Sequence, residues 1–253
     1  MVAIDLNSDL GESYGVWTLG DDEAMLAVVT SANVACGFHA GDPGILRAAC
    51  AGAVQQNVAI GAQVSYPDLL GFGRRHLDMA ADELRDAVLY QLGALDAFAQ
   101  VGGSEIAYVK PHGALYHATA TNPTLAAAVV EAAADYDSSL AILGLPGSEL
   151  LAAAERAGLE AVGEAFADRA YRPDGGLVSR REAGSVLTDP DEVAERAVRI
   201  ATESELVAVD GSVVSVRARS ICVHSDTPGA VGLARAVRMA LDAAGVGVYR
   251  FTQ

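Results

Sequence analysis

The chain has 253 residues, 51% hydrophobic, 20% charged and 6% aromatic, which excludes disordered, collagenous and disulfide-stapled classes and supplies enough apolar side chains for a large core. Seventeen basic against thirty-three acidic residues give a net charge of −16, a field that repels phosphate backbones and anionic lipid and so argues against nucleic acid and membrane as partners. Three cysteines without CxxC spacing, and a start, Met1-Val2-Ala3-Ile4-Asp5, without a basic region or an apolar signal core, point to the reducing cytoplasm.

Short β-rich apolar runs alternate with longer segments of helical period, the pattern of repeated βαβ units in an α/β fold. Strands are predicted at Val2 to Leu6, Ala32 to Cys36, Val58 to Gln63, Ile106 to Lys110, Leu140 to Leu143, Ala161 to Phe166, Ser220 to His224 and Val246 to Phe251. The uncharged stretch Ala48 to Pro67 has the length of a membrane span, but Gln55, Gln56 and Asn57 at its centre would be costly in lipid, so it reads as helix, turn and strand. Leu84, Val88, Leu92 and Leu95 form one helical stripe ended by Gly102-Gly103, and Asp189-Pro190-Asp191-Glu192 supplies a cap, a first-turn proline and an acidic first turn. Two β-rich runs around Asp210-Gly211 read as a tight hairpin, an excursion near 206–216 from the main sheet. No repeat or linker divides the chain, so 1–253 is expected to be a single domain, a size at which parallel β/α barrels commonly form.

Polar clusters follow one predicted strand after another: Asp5 to Glu12, Cys36 to Pro43, Lys110 to Gly113, Glu164 to Arg169 and Cys222 to Pro228. In a parallel barrel all strand C-termini open on one face, so these loops would converge on one pocket. Four of the five histidines, His39, His112, His117 and His224, fall in or beside the clusters, where imidazole can transfer protons near neutral pH. Lys110 is the sole lysine, and at a barrel mouth its amine suits an anion or an oxyanion; the structural alternative is a buried ion pair. Asp42 and Thr227 each precede proline, as helix caps do, which is compatible with Asp42 also facing the pocket, whereas Asp226 is less readily explained by capping. Asp9 and Glu12 either hold the first loop or act as an acid and a base. A divalent metal would find Asp9, His39 and a further histidine such as His112, although no HExxH or paired CxxC supports it. Cys36 and Cys222 end apolar runs and read as small buried hydrophobes rather than nucleophiles. No GxxxxGK[ST] surrounds the single lysine and no GxGxxG follows the first strand, so nothing indicates nucleotide binding by this chain.

At these residues the sequence resembles the LamB/YcsF family of ATP-dependent 5-oxoprolinase A subunits. The resemblance runs from Asp5-Leu6-Asn7 to Asp226 through Asn33 to Pro43, Tyr66-Pro67-Asp68-Leu69 with Gly71 to Arg75, Lys110 to Tyr116, Glu164 to Tyr171 and Cys222-Val223-His224. It implies a distorted seven-stranded β/α barrel resembling the glycoside hydrolase/deacetylase barrels. It also implies a hydrolase that opens the lactam of 5-oxo-L-proline to L-glutamate, with ATP consumed by a complex and bound mainly by partner subunits B and C. Under that reading Asp9, His39, Lys110, His112, His224 and Asp226 are the expected catalytic groups. Asn7, Glu12, Asp42, Arg74, Glu164, Asp168 and Arg169 are expected to bind substrate, while a divalent metal and association into a homo-oligomer stay open. Ser225 stands where the family more often has glycine, and Gln63-Val64 where some members have His-Pro. Rival readings are a metal-dependent carbohydrate or amide deacetylase acting alone and a non-catalytic binding protein or scaffold.

Overall fold

A computed structural model describes residues 2–252, and Met1 and Gln253 lie outside them. In chain order the elements are β1 (Ala3–Leu10), α1 (Asp22–Leu26), β2 (Ser31–Ala35), α2 (Pro43–Gln55), β3 (Ala59–Val64), α3 (Ala81–Val101), β4 (Ile106–Pro111), α4 (Gly113–Thr121), α5 (Pro123–Tyr136), β5 (Ala141–Gly144), α6 (Glu149–Ala157), β6 (Glu160–Phe166), α7 (Pro190–Glu203), β7 (Glu205–Val207), β8 (Val213–Ser215), β9 (Ser220–Cys222), α8 (Ala230–Ala243) and β10 (Gly247–Val248). Seven parallel strands close in the order β1-β2-β3-β4-β5-β6-β9, and β9 returns to β1 through Asp5↔Ser220, Leu6↔Ile221 and Asn7↔Cys222. Strand β10 pairs with the start of β1, and β7 with β8 forms a separate antiparallel ribbon. Among the described residues no helix is long and apolar enough to cross a membrane.

Local signals fix the helices. Asp42 accepts from the amides of Gly44 and Ile45 at 2.8 and 3.1 Å, with Pro43 in the first turn of α2. Asp189 caps α7 in the same way, and Asn122 caps α5. On α3 the stripe Leu84, Val88, Leu92 and Leu95 is fully buried, and the helix ends at Gly102 as its glycines require. The uncharged run at 48–67 resolves into the end of α2, a turn and β3.

The barrel is inside out relative to a barrel filled by branched apolar residues. Outward-facing Ile4, Leu6 and Leu10 of β1 pack with the helices in the main apolar core, while Asp5, Asn7 and Asp9 alternate with them toward the interior. That alternation explains why β1 continues to Leu10 instead of ending at Leu6: its polar residues belong to a buried hydrogen-bond network rather than a loop. A small apolar plug of Ala59, Tyr108, Ala141, Leu143 and Val162, with Phe251 packed on it, closes the N-terminal end of the barrel. The Tyr108 ring crosses β3 at Gly61, where a Cβ would lie 2.1 Å from ring carbon, so only glycine fits there.

Candidate active site

The interior network rises from the plug to the mouth in layers. At the bottom, the Asp5 carboxylate accepts from Thr30 Oγ1 at 2.7 Å, from Ser31 Oγ at 2.6 Å and from Ser220 Oγ. Above it, Asn33 Nδ2 donates to Asn7 Oδ1 and Asp9 Oδ1, both at 2.8 Å, and Tyr108 OH donates to Asn33 Oδ1 at 2.6 Å. Lys110 Nζ then meets Glu164 Oε2 at 2.9 Å, Asp9 Oδ1 at 3.2 Å, Asn7 Oδ1 at 3.3 Å and Cys222 Sγ at 3.4 Å. An unpaired buried ammonium would shed its proton, since an isolated charge costs far more than a lost hydrogen bond. Burial does push the Lys110 amine down, but Asp9, Cys222 and Glu164 outweigh it and hold Lys110 well above the ordinary lysine value. Asp9 mirrors this: burial opposes its charge, yet Lys110 first, then His224 and His112, keep it below the usual carboxylate range. Glu164 lies above its ordinary value because burial exceeds the help from Lys110.

Over this layer sit Glu12, His39 and His112, whose ligand atoms all lie within 4.8 Å of one another. The two imidazoles stack with centroids 4.2 Å apart, His112 Nε2 is 3.6 Å from Glu12 Oε1, and Gln63 bridges His39 Nε2 at 3.0 Å to Glu12 Oε1 at 3.1 Å. Burial drives the His39 value down to about 4 and His112 well below its ordinary value, so both are neutral bases at pH 7. Burial, together with the charges of Asp9 and Asp226, raises Glu12 well above the usual range. Both histidine Nδ1 atoms are buried without a hydrogen-bond partner among the described residues. A carboxylate and two neutral imidazoles with spare lone pairs are a donor set that fits a divalent ion. Of the expected candidates, His39 and His112 stand together with Glu12, while Asp9 lies a layer below, paired with Lys110 and Asn33.

His224 stands across the mouth, its ring stacked on Phe166 and its Nδ1 3.0 Å from both oxygens of Asp168. Asp226 pairs with Arg74 and, at 3.4 Å, with Arg180. The loop carrying Arg74 also supplies Phe72, whose ring edges meet His39 and His112. A cavity of about 930 Å³ opens from Asp9, Lys110, His112 and His224 toward the segment between β6 and α7. Thus Asn7, Asp9, Glu12, His39, Arg74, Lys110, His112, Glu164, Asp168, Arg169, His224 and Asp226 gather at or beneath one rim. Asp42 does not line the cavity: its second oxygen accepts from Gly15 at 2.7 Å, and its carboxylate is accounted for by capping and by holding the first loop. Cys36 and Cys222 are buried and free, and burial raises both thiols, which leaves neither as a nucleophile.

Sequence reasoning assigns no site role to Asn33, Tyr108, Arg172, Arg180 or Arg181. Gln63 enters it only as a departure from His, yet it links His39 to Glu12. The close spacing of Arg169, Arg172, Arg180 and Arg181 is the signal that would have shown the cationic side of the cavity.

Residues 4–253 match the LamB/YcsF family profile. The chain belongs to the LamB/YcsF family. It is 57% identical over 251 residues to the 5-oxoprolinase A subunit of Mycobacterium avium (strain 104), covering 99% of this chain and 100% of that protein. It is 58% identical over 248 residues to the 5-oxoprolinase A subunit of Streptomyces coelicolor, with coverage of 98% and 99%. The crystal structure of a lactam utilization protein from Thermus thermophilus superposes with a TM-score of 0.93 at 45% identity, covering 98% of this chain and 100% of that one. A family 4 carbohydrate esterase from Streptomyces lividans shares the fold alone, with a TM-score of 0.54, 13% identity and coverage of 99% and 93%. These likenesses agree with a LamB/YcsF barrel that shares its fold with the carbohydrate esterase.

Proposed function

We propose that this chain is the hydrolytic A subunit of an ATP-dependent 5-oxoprolinase, opening the lactam of 5-oxo-L-proline to L-glutamate in a cytoplasmic assembly with B and C partner subunits. The observation that carries the reading is the convergence of Glu12, His39, His112 and His224 over the Lys110 layer at one mouth, in a chain 57% identical along its length to the A subunit of a mycobacterial 5-oxoprolinase.

In the net reaction, water adds to the lactam carbonyl carbon and the ring C–N bond breaks; the carbon becomes a carboxylate and the nitrogen takes up both protons of the water to become an ammonium. Neutral His112, at the cavity wall, is suited to take the proton from water. Glu12, whose burial beside Asp9 and Asp226 favours its protonated form, is suited to return one, and His224, oriented through Nδ1 by Asp168, presents Nε2 as a second proton carrier. Lys110 supplies a fixed positive charge at low dielectric, where it steadies a developing oxyanion. Arg74 and Arg169 offer guanidinium groups for the substrate carboxylate. With a divalent ion bound, Glu12, His39 and His112 would be its ligands instead of proton carriers, the ion would supply Lewis-acid polarisation of the carbonyl, and His224 would remain as the proton carrier. An amide is a poor electrophile and ATP consumption would activate it. The family resemblance implies that the partners carry out that step, and the lack of a phosphate loop around Lys110 agrees with it.

The test mixes this chain with its B and C partners and measures glutamate release from 5-oxoproline with and without ATP, omitting each subunit in turn. Release that needs ATP and all three subunits, and that disappears with His112→Ala, supports the reading; release unaffected by omitting this chain defeats it. The Glu12/His39/His112 set favours one second reading, a metal-dependent deacetylase acting alone. Hydrolysis of N-acetyl sugars by the isolated chain, without ATP, would establish that instead.

A further inference from the structure

Asp226 ties three loops together at the mouth. From its own place after β9, its Oδ2 receives Arg74 from the loop after β3 and, at 3.4 Å, Arg180 from the segment between β6 and α7. The Asp226 side chain is 9% exposed and does not line the cavity, whereas those of Arg74 and Arg180, 37% and 27% exposed, do. Asp226 therefore stands behind the two arginines as seen from the cavity. Burial opposes its charge, but Arg180, Arg74 and His224 outweigh that and keep it ionised. Two guanidiniums against one carboxylate leave one net positive charge, and the donors are unspent as well. A guanidinium has five N–H donors, and among the described residues Arg74 and Arg180 each commit a single nitrogen to an acceptor. The adjacent Arg75 differs, since it spends both Nε and Nη2 on Asp68. Arg169 also differs, with Nε on Ser185 O at 3.1 Å and Nη2 on Val178 O at 2.6 Å.

We propose that Arg74 and Arg180, aimed by Asp226, form a subsite for a carboxylate carried on the lactam ring, so that this chain selects acid-bearing lactams over uncharged ones. Asp226 is then a positioning residue and not a proton carrier. The inference rests on the lactam reading above for the rest of the ligand. One ligand carboxylate cancels the net charge of the pair, and donors already held in place by a common oxygen lose little freedom on binding. The location suits the chemistry as well. The Arg74 guanidinium carbon lies 4.8 Å from the centroid of the Phe72 ring, whose edges meet His39 and His112, so an acid group held by Arg74 leaves the ring of the ligand close to the imidazoles.

5-Oxoproline and 2-pyrrolidinone, the same ring without the acid, are titrated calorimetrically into the isolated full chain. The parent should bind 5-oxoproline about tenfold or more tighter than 2-pyrrolidinone. Arg180→Gln should weaken 5-oxoproline about tenfold and leave 2-pyrrolidinone within about twofold, as the loss of a charge-assisted hydrogen bond to the acid alone requires. Asp226→Asn should act in the same direction, because two like charges without their common oxygen move apart, and Arg85→Gln, paired with Asp135 on α3, should alter neither ligand. In the assembled enzyme Asp226→Asn should raise KM about tenfold with kcat within about threefold. Equal binding of the two lactams by the parent, or an Arg180→Gln effect shared by both, would overturn the subsite. Tighter 5-oxoproline binding in Asp226→Asn, or a fall in its kcat at unchanged KM, would overturn the positioning role. Because binding needs no turnover, acid-selective binding without glutamate release by the assembly would sink only the 5-oxoprolinase reading, and release with equal binding of both lactams would sink only the subsite.

Discussion

Asp168 holds His224 at two points: the backbone amide of His224 donates to Oδ2 at 2.9 Å, while its ring Nδ1 lies 3.0 Å from both carboxylate oxygens. A carboxylate on Nδ1 fixes the hydrogen there and leaves the Nε2 lone pair for the cavity. Burial alone would raise Asp168, but His224 outweighs it and the group stays below its ordinary value, hence ionised. Replacing Asp168 by Asn keeps the shape and removes the charge that selects the tautomer. The expected result is a fall in kcat of the assembled enzyme of about 10²-fold or more, with KM changed by less than about threefold. Steady-state kinetics with unchanged kcat would show that His224 carries no proton.

Lys110 is 2% exposed and bridges Asp9 and Glu164. Lys110→Met fills the space but strands two carboxylates in the barrel interior, a loss of about 3–5 kcal/mol if one partner of a buried pair is removed. Urea unfolding of the isolated chain should show that loss, and Lys110→Met/Glu164→Gln should recover part of it. A variant as stable as the parent would mean that water reaches this layer.

The strand positions and the convergence of the histidine clusters were legible because both depend on chain-local patterns: apolar runs of strand length, and polar residues placed just after them. Lys110 stood out in a chain whose other basic residues are all arginine. What the sequence concealed is the orientation within β1. Alternation sends Asp5, Asn7 and Asp9 inward together, so Asp9 joins Lys110, while Glu12, beyond the turn at Gly11, joins His39 and His112. Three residues of offset decide which acid faces the imidazoles, and periodicity alone cannot place a residue beyond the end of its strand. The arginines between β6 and α7 lie in a segment without helical or strand period, so no pattern aimed them at the cavity.

Gly73 has φ +64°, and a Cβ there would stand 2.2 Å from Ser65 Oγ, 3.0 Å from His39 Cβ and 3.1 Å from His112 Nδ1. Its carbonyl also receives the Ala114 amide at 2.8 Å, which ties the loop to the start of α4. Gly73→Ala therefore combines left-handed strain with a clash against Ser65 Oγ and tight contact with His39 Cβ and the His112 ring. A loss of about 1–3 kcal/mol in stability is expected, together with displaced His39 and His112. Thermal unfolding and turnover should both fall; a fully active, equally stable variant would show that the loop yields without disturbing the rings.

Asp5 gives the sharpest dependence on pH. Burial raises its value from 3.8 to about 6, against the opposing hydrogen bonds from Ser220, Ser31 and Thr30. A folded-state value above the unfolded one means that the native state holds its proton longer. The stability contributed by this group is therefore full below about pH 4 and is lost as pH rises through 6, a change of about 3 kcal/mol at 1.36 kcal/mol per unit. Asp5→Asn cannot titrate, and groups of the opposite sense, such as Asp9 and Asp168, are present in both proteins and cancel in the comparison. Urea unfolding at a series of pH values should show the stability of the parent minus that of Asp5→Asn falling by about 3 kcal/mol between pH 4 and pH 7. A difference that stays flat across that window would mean that the three hydroxyl donors hold Asp5 ionised throughout, and that the lower barrel layer is built around a permanent charge.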